Sequence, residues 1–297
     1  MVWRTGYEYR LALYVDPSPE AGGVNMRRLI NRRPEILTRL LLAASPFFLA
    51  FVAYALASQA RLAANANDKL LPGWSTILDA VNRMTFVPDL RSGDYLLLLD
   101  TMVSLERLAI GVGIAMVAGF VIGVLQGLIP YVRATLSNFT NVVSMIPALA
   151  ILPILFITFG LGETAKIVLI VVGIVPFIVR DLAQRVEEIP HEQIIKAQTL
   201  GASTWQIIIR IVVPQMLPRL IDSVRLSLGP AWLYLIAAEA IAAESGLGYR
   251  IFLMRRYLSM DVILPYVAWI TFLAFFLDFL LRGLRRVSFG WMYRGHM

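Results

Sequence analysis

The chain has no cysteine, only two histidines, and few charges, with 16% of its 297 residues being Asp, Glu, Lys or Arg. Missing cysteines exclude disulfides, thiolate metal sites and cysteine nucleophiles. A histidine metal cluster has only His191 and His296 to draw on, so no metal site is expected. Charge this sparse, with 58% hydrophobic residues and a mean hydropathy of +0.70, leaves too little polar surface for a water-soluble domain. Lipid is the expected solvent. The excess of 27 Lys and Arg over 20 Asp and Glu does not point to nucleic acid. The arginines stand at the ends of apolar runs, and no basic stripe interleaved with aromatics occurs.

Apolar runs near 37–59, 102–129, 136–159, 164–179, 220–243 and 262–284 are of about the length that crosses a ~30 Å hydrocarbon layer. The implied fold class is an all-α integral membrane protein with about six transmembrane helices in one bundle. Residues 1–36 read as an amino-terminal tail, 37–286 as the membrane domain and 287–297 as a carboxy-terminal tail. The polar stretch before the first run does not have the form of a cleavable leader. Gly111, Gly113, Gly119, Gly123 and Gly127 in the second run suit close helix packing, and the last three form a double small-xxx-small repeat. Pro72-Gly73-Trp74-Ser75 punctuates a short surface helix from Thr76 onward.

Lys and Arg set the orientation. With the amino terminus in the cytoplasm, that side gains Arg27, Arg28, Arg32, Arg33, Arg39 and Arg133. It also gains Arg180, Arg185, Lys196, Arg210 and Arg219, and finally Arg282, Arg285 and Arg286. Both termini are then cytoplasmic, and Arg250, Arg255 and Arg256 form an external basic cluster suited to receiving an anion, to contacting an acidic partner, or to anchoring at the bilayer surface.

The polar interruption at 180–219 has a readable local grammar. Residues 192–200 fit a short amphipathic helix, Gly201 its stop, and Ser203 the cap of a second helix that ends at Pro214. An exposed elbow of two helices suits docking in a groove on a soluble partner.

At this loop the chain resembles the binding-protein-dependent permeases of ABC importers. Their signature is Glu-Ala-Ala, three residues, Gly, nine residues, Ile, one residue, Leu-Pro. Ala197, Gly201, Ile211 and Val213-Pro214 share that register, while Ile195 stands at the glutamate and Lys196 at the first alanine. Glu192, one helical turn earlier, is either a substitute contact or a solvated surface carboxylate. Leu71-Pro72-Gly73-Trp74 and the stretch from Thr101 to Gly111, with Arg107, resemble two further family segments. Pro147-Ala148-Leu149-Ala150-Ile151-Leu152-Pro153, Phe159-Gly160-Leu161-Gly162-Glu163, Ala238-Glu239 and Ser245-Gly246-Leu247-Gly248 are similar to the nitrate, sulfonate, taurine and bicarbonate subgroup.

The resemblance implies a type I permease bundle with 180–219 as its coupling loop, in a bacterial inner membrane. It also implies a second copy of the permease, two ATPase subunits and an external solute-binding protein. No Gly-x-x-x-x-Gly-Lys-Ser/Thr occurs, so ATP and Mg are expected on the separate ATPase and no catalytic residue on this chain. Ala197, Gly201, Ala202 and Ile211 are expected at the ATPase contact, with Trp205 and Pro214 holding the elbow against the spans. Pro147 and Pro153 free carbonyls within a membrane helix, which places the third run near the translocation axis with Ser144, Met145 and Thr158 as lining candidates. Glu239 is either a polar group near the gate or half of an internal ion pair. Asp278 is positioned to pair with Arg282 one turn on.

The alternative from another class is a secondary transporter driven by an ion gradient. It predicts an inverted repeat around a midplane ion site, and no clear repeat is visible. A membrane-embedded enzyme would need convergent catalytic groups within the spans, for which only Glu239 and Asp278 are plausible, with no histidine or cysteine nearby.

Overall fold

A computed structural model describes residues 35–65, 68–90 and 93–291, and the chain divides into two units, 1–53 and 54–297. Most of the amino-terminal tail and the end of the carboxy-terminal tail, with Arg27, Arg28, Arg32 and Arg33, lie outside the described residues. Helix α1 (Ile36–Ala64) begins in the first unit, where it exposes Leu37, Leu40, Leu41, Phe47 and Phe48, the surface of a rod suited to lipid.

In the second unit the chain forms α2 (Trp74–Phe86), α3 (Leu96–Leu128), α4 (Pro130–Met145), α5 (Ala148–Phe159) and α6 (Glu163–Glu187). The helices α7 (His191–Thr199) and α8 (Thr204–Ile207), a π-helical turn (Ile208–Val212), α9 (Val213–Ala242), α10 (Leu247–Arg255) and α11 (Met260–Ser288) follow. No strand occurs among the described residues. Among the described residues, four helices are long and apolar enough to cross a membrane, or six segments if each of two bent pairs counts as one span.

Helix α6 is the central post. Half of its most apolar window is buried, against a third for α3 and less for α11. Ile170, Ile174, Ile178 and Leu182 are fully buried along one side, where α3 lies against it. The glycine repeat makes that approach possible. A Cβ added to Gly119 would sit 2.6 Å from the Ile178 side chain, and one on Gly127 2.6 Å from Val186. Gly113 meets nothing and is not part of the seam.

Three expected boundaries move. The run at 136–159 is not one rod, because α4 and α5 meet at 95°. Ile146 precedes a proline, which disfavours helical backbone there, and it is extended at φ −74°, ψ 121°. The helix expected over 164–179 continues to Glu187, so Arg180, Asp181 and Arg185 lie on α6 rather than in a loop. The helix expected to stop at Pro214 runs through it. The Val213 N–H bonds to the Ile208 carbonyl across five residues, and this widened turn accommodates the donor that Pro214 lacks. The short helix after Pro72 is present, beginning at Trp74.

Candidate functional site

The elbow is built from local hydrogen bonds. Helix α7 ends as Gly201 turns to φ +80°, a left-handed conformation that costs little without a Cβ. The Ala202 N–H donates to the Ala197 carbonyl at 3.0 Å and the Gly201 N–H to the Gln198 carbonyl at 2.9 Å. This is the paired 6→1 and 5→2 arrangement of a Schellman cap, and Ala197 and Ala202 occupy the two positions whose side chains touch in that motif. Two of the signature positions thus have a backbone explanation. Ser203 then starts α8 in a capping box: the Gln206 N–H donates to its hydroxyl at 3.4 Å, and its own N–H donates to the Gln206 side chain at 2.8 Å.

What faces inward differs from expectation. Ala197, Ala202 and Ile211 pack onto a buried cluster of Val124, Val186, Ile189, Ile207, Ile208, Val212 and Met216. They tie the elbow to the ends of α3 and α6. Trp205, expected to hold the elbow against the spans, is instead 64% exposed, and Leu200 is 87% exposed. The reason is the phase of the helices. Ile207 and Ile208 take the inner side after the cap, which leaves Trp205 on the outer side. Pro214 is also exposed, so its contribution is to the backbone of the π turn. Gln215 Nε2 bridges to Gln193 Oε1 at 3.1 Å and to the Ile211 carbonyl at 3.0 Å, fastening α9 to α7. Glu192 is exposed in the first turn of α7.

A second constellation gathers the motif fragments that are far apart in sequence. Glu239 on α9 is fully buried and accepts from Ser104 Oγ at 2.7 Å, Arg107 Nη1 at 2.8 Å and the Gly248 N–H at 2.8 Å. Arg107 also donates to the Ser245 carbonyl at 2.8 Å and, through Nη2, to Glu163 at 2.7 Å. Lys166 reaches the same Glu163 oxygen at 2.9 Å. One layer on, the buried Asp100 accepts from the Gly246 N–H at 2.9 Å, Arg250 Nε at 2.8 Å and the Tyr266 hydroxyl at 3.0 Å. Arg107, Lys166 and Arg250 thus face Glu163, Glu239 and Asp100, and the charges balance. Gly246 is held at φ +127°, and a Cβ there would lie 2.5 Å from Glu239 Oε1.

These contacts bear on Glu239 and on the basic cluster. Glu239 is buried inside a polar lock joining α3, α6, α9 and α10, as half of an ion pair with Arg107. Arg250 leaves the basic cluster for Asp100, because an unpaired buried Asp would be far costlier than losing a surface cation. Asp278 does pair with Arg282, and also with Arg225 at 2.8 Å. Asp100, Ser104 and Arg107 are the residues that reading by motif undervalued. Their signal was a polar face at four- and three-residue spacing in the first turns of an apolar helix.

The remaining pathway candidates lie on the bent α4–α5 pair. Ser144 accepts from Arg180 Nη1 at 2.8 Å, Met145 ends α4, and Pro147 caps α5 at the bend. Pro153 and Thr158 are exposed on α5, opposite the Ala148, Leu152 and Leu155 that pack inward.

Residues 111–289 match the family described as binding-protein-dependent transport system inner membrane component. The taurine transport system permease protein TauC of Escherichia coli (strain K12) is 36% identical over 188 residues, covering 63% of this chain and 68% of that protein. The putative aliphatic sulfonates transport permease protein SsuC of the same strain is 32% identical over 146 residues, covering 49% and 56%. Among solved structures, a chain of the MetNI methionine ABC transporter in an inward facing conformation aligns with a TM-score of 0.55 at 25% identity, covering 64% of this chain and 96% of that one. The chain is a multi-pass membrane protein with a type I permease fold, and it belongs to the binding-protein-dependent permeases of ABC transporters.

Proposed function

We propose that this subunit carries a small anionic solute into the cytoplasm of a bacterium across the inner membrane, powered by ATP hydrolysed on a partner. A second copy of the chain, two ATPase subunits holding ATP and Mg, and an external solute-binding protein complete the machine. The solute belongs to the chemical class of the relatives' cargo, an acidic headgroup such as a sulfonate on a small body. The elbow end and both termini face the cytoplasm, and the Gly246 end faces outward.

The observation that carries this reading is the elbow. Its two helices are capped on both sides of Gly201, anchored from beneath by Ile207, Ile208 and Val212, and they present Leu200 and Trp205 outward. Exposed aromatic and aliphatic knobs on a stiff helical mount suit a groove on a soluble partner. Motion imposed on them passes without slack through the π turn into α9. At its other end α9 carries Glu239, and therefore the lock to α3, α6 and α10. ATP-driven closure of the ATPase pair then tilts these helices between two packings.

Purification of the tagged full-length chain from native membranes tests this. An ATP-hydrolysing subunit is expected to accompany it, and Gly201→Asp is expected to stay in the membrane while losing that subunit and ATP-dependent uptake. A partner-free protein whose uptake follows an ion gradient would establish the secondary transporter instead.

A further inference from the structure

Between α4 and α6, with Gln126 of α3, lies an open groove of about 510 Å³ lined by Gln126, Ser137, Asn141, Phe177, Arg180 and Gln184, together with the acids Asp181 and Glu187. Its size lies within the range of small-molecule sites. The two acids are already neutralised. Asp181 accepts from Arg185 Nε at 2.8 Å and from the Ser223 hydroxyl, and Glu187 pairs with Arg133 at 3.2 Å. Arg180 is different. Among the described residues it has no carboxylate within ion-pair distance, and its bond is to the neutral Ser144 hydroxyl, at 2.8 Å.

Arg180 lies seven residues before the end of α6, roughly 10 Å in from that end at 1.5 Å per residue. Its side chain is exposed, so a guanidinium with no carboxylate partner stands open to a ligand in the groove. Ser144 occupies one of its donors, and the rest of the fork remains for a ligand. Around it Ser137, Asn141 and Gln184 carry hydroxyl and amide donors. With its two acids each paired to an arginine outside the lining, the groove offers one unpaired planar fork among neutral donors, which matches a small oxyanion.

We propose that Arg180, held by Ser144, is a station for the oxyanion headgroup of the transported solute on the elbow side of the α4–α5 bend. This rests on the import of a small anion proposed above and names the group that receives it. It also gives Ser144 a different role from a simple wall of the path: it orients the cation. A lipid phosphate offers the same chemistry from another source, and the assignment here is to the solute.

The test titrates the purified full-length protein, in detergent without phospholipid, with sodium methanesulfonate at constant ionic strength balanced by gluconate. The thermal unfolding midpoint is expected to rise saturably in the wild type. Arg180→Lys should retain the rise with weaker saturation, and Arg180→Gln, which keeps a donor for Ser144, should weaken it at least tenfold. A flat wild-type titration, or an Arg180→Gln variant that saturates like the wild type, overturns the proposal. A rise produced by phosphatidylglycerol that methanesulfonate does not compete away overturns it in favour of the lipid. ATPase co-purification with the wild type is scored separately. Loss of that association with an intact titration counts against the importer reading alone, and an intact association with a flat titration counts against this station alone.

Discussion

Arg107 and Glu239 are 132 residues apart in the chain, yet they meet at 2.8 Å from Nη1 to Oε1 with side chains 5% and 0% exposed. Removing one member leaves the other charged and buried. Arg107→Leu is therefore expected to lower stability by about 3–5 kcal/mol, and the double variant Arg107→Leu/Glu239→Leu by less than the sum of the two single changes. Denaturant unfolding in detergent provides the measurement. A single-variant cost below ~1 kcal/mol would contradict the lock.

Gly201 poses a purely conformational problem, since a Cβ there meets nothing within 4 Å while φ is +80°. Gly201→Ala should cost about 1–2 kcal/mol of elbow stability, and Gly201→Asn less, because asparagine tolerates the left-handed region. Amide exchange at Ala202, whose N–H closes the cap, should quicken in the alanine variant while amides in the middle of α6 stay protected.

The α3–α6 seam predicts opposite outcomes for two glycines on one helix. Gly119→Val places carbon against Ile178 and should destabilise by about 1–3 kcal/mol or more. Gly113→Ala, with open space around it, should remain within about 0.5 kcal/mol of the wild type. Comparable costs at both positions would exclude the seam.

Two elbow residues separate docking from anchoring. Trp205→Ala removes an exposed side chain and should leave stability within about 0.5 kcal/mol, while weakening ATPase association by about 2 kcal/mol or more. Ile208→Ala removes a buried one and should cost about 2–5 kcal/mol of stability. A thermal melt paired with an ATPase binding titration on each variant reads both.

Features set by neighbours in sequence were legible. The four-residue glycine spacing forms a seam because residues at that spacing share a helix face. The glycine stop and serine cap of the elbow appear where Gly201 and Ser203 place them, because each bonds within about five residues. The bend at Pro147 was available from the proline's effect on Ile146, but the unbroken apolar run around it read as one span. Features set by distant packing were not legible. Which face Trp205 takes depends on Val124 and Val186, many residues upstream, occupying the inner side. The fate of Glu239 depends on Arg107 and Ser104 from another helix. A carboxylate in an apolar run has the same local signature whether it lines a path or closes a lock.

The outward face of the elbow is the account's central claim, and site-specific photocrosslinking tests it most directly. A benzophenone amino acid is placed singly at Trp205 or at Val212 in the full-length chain within native membranes. The account predicts an adduct with an ATP-binding subunit from position 205 and none from the buried position 212. No adduct from 205, or equal adducts from both positions, would contradict it.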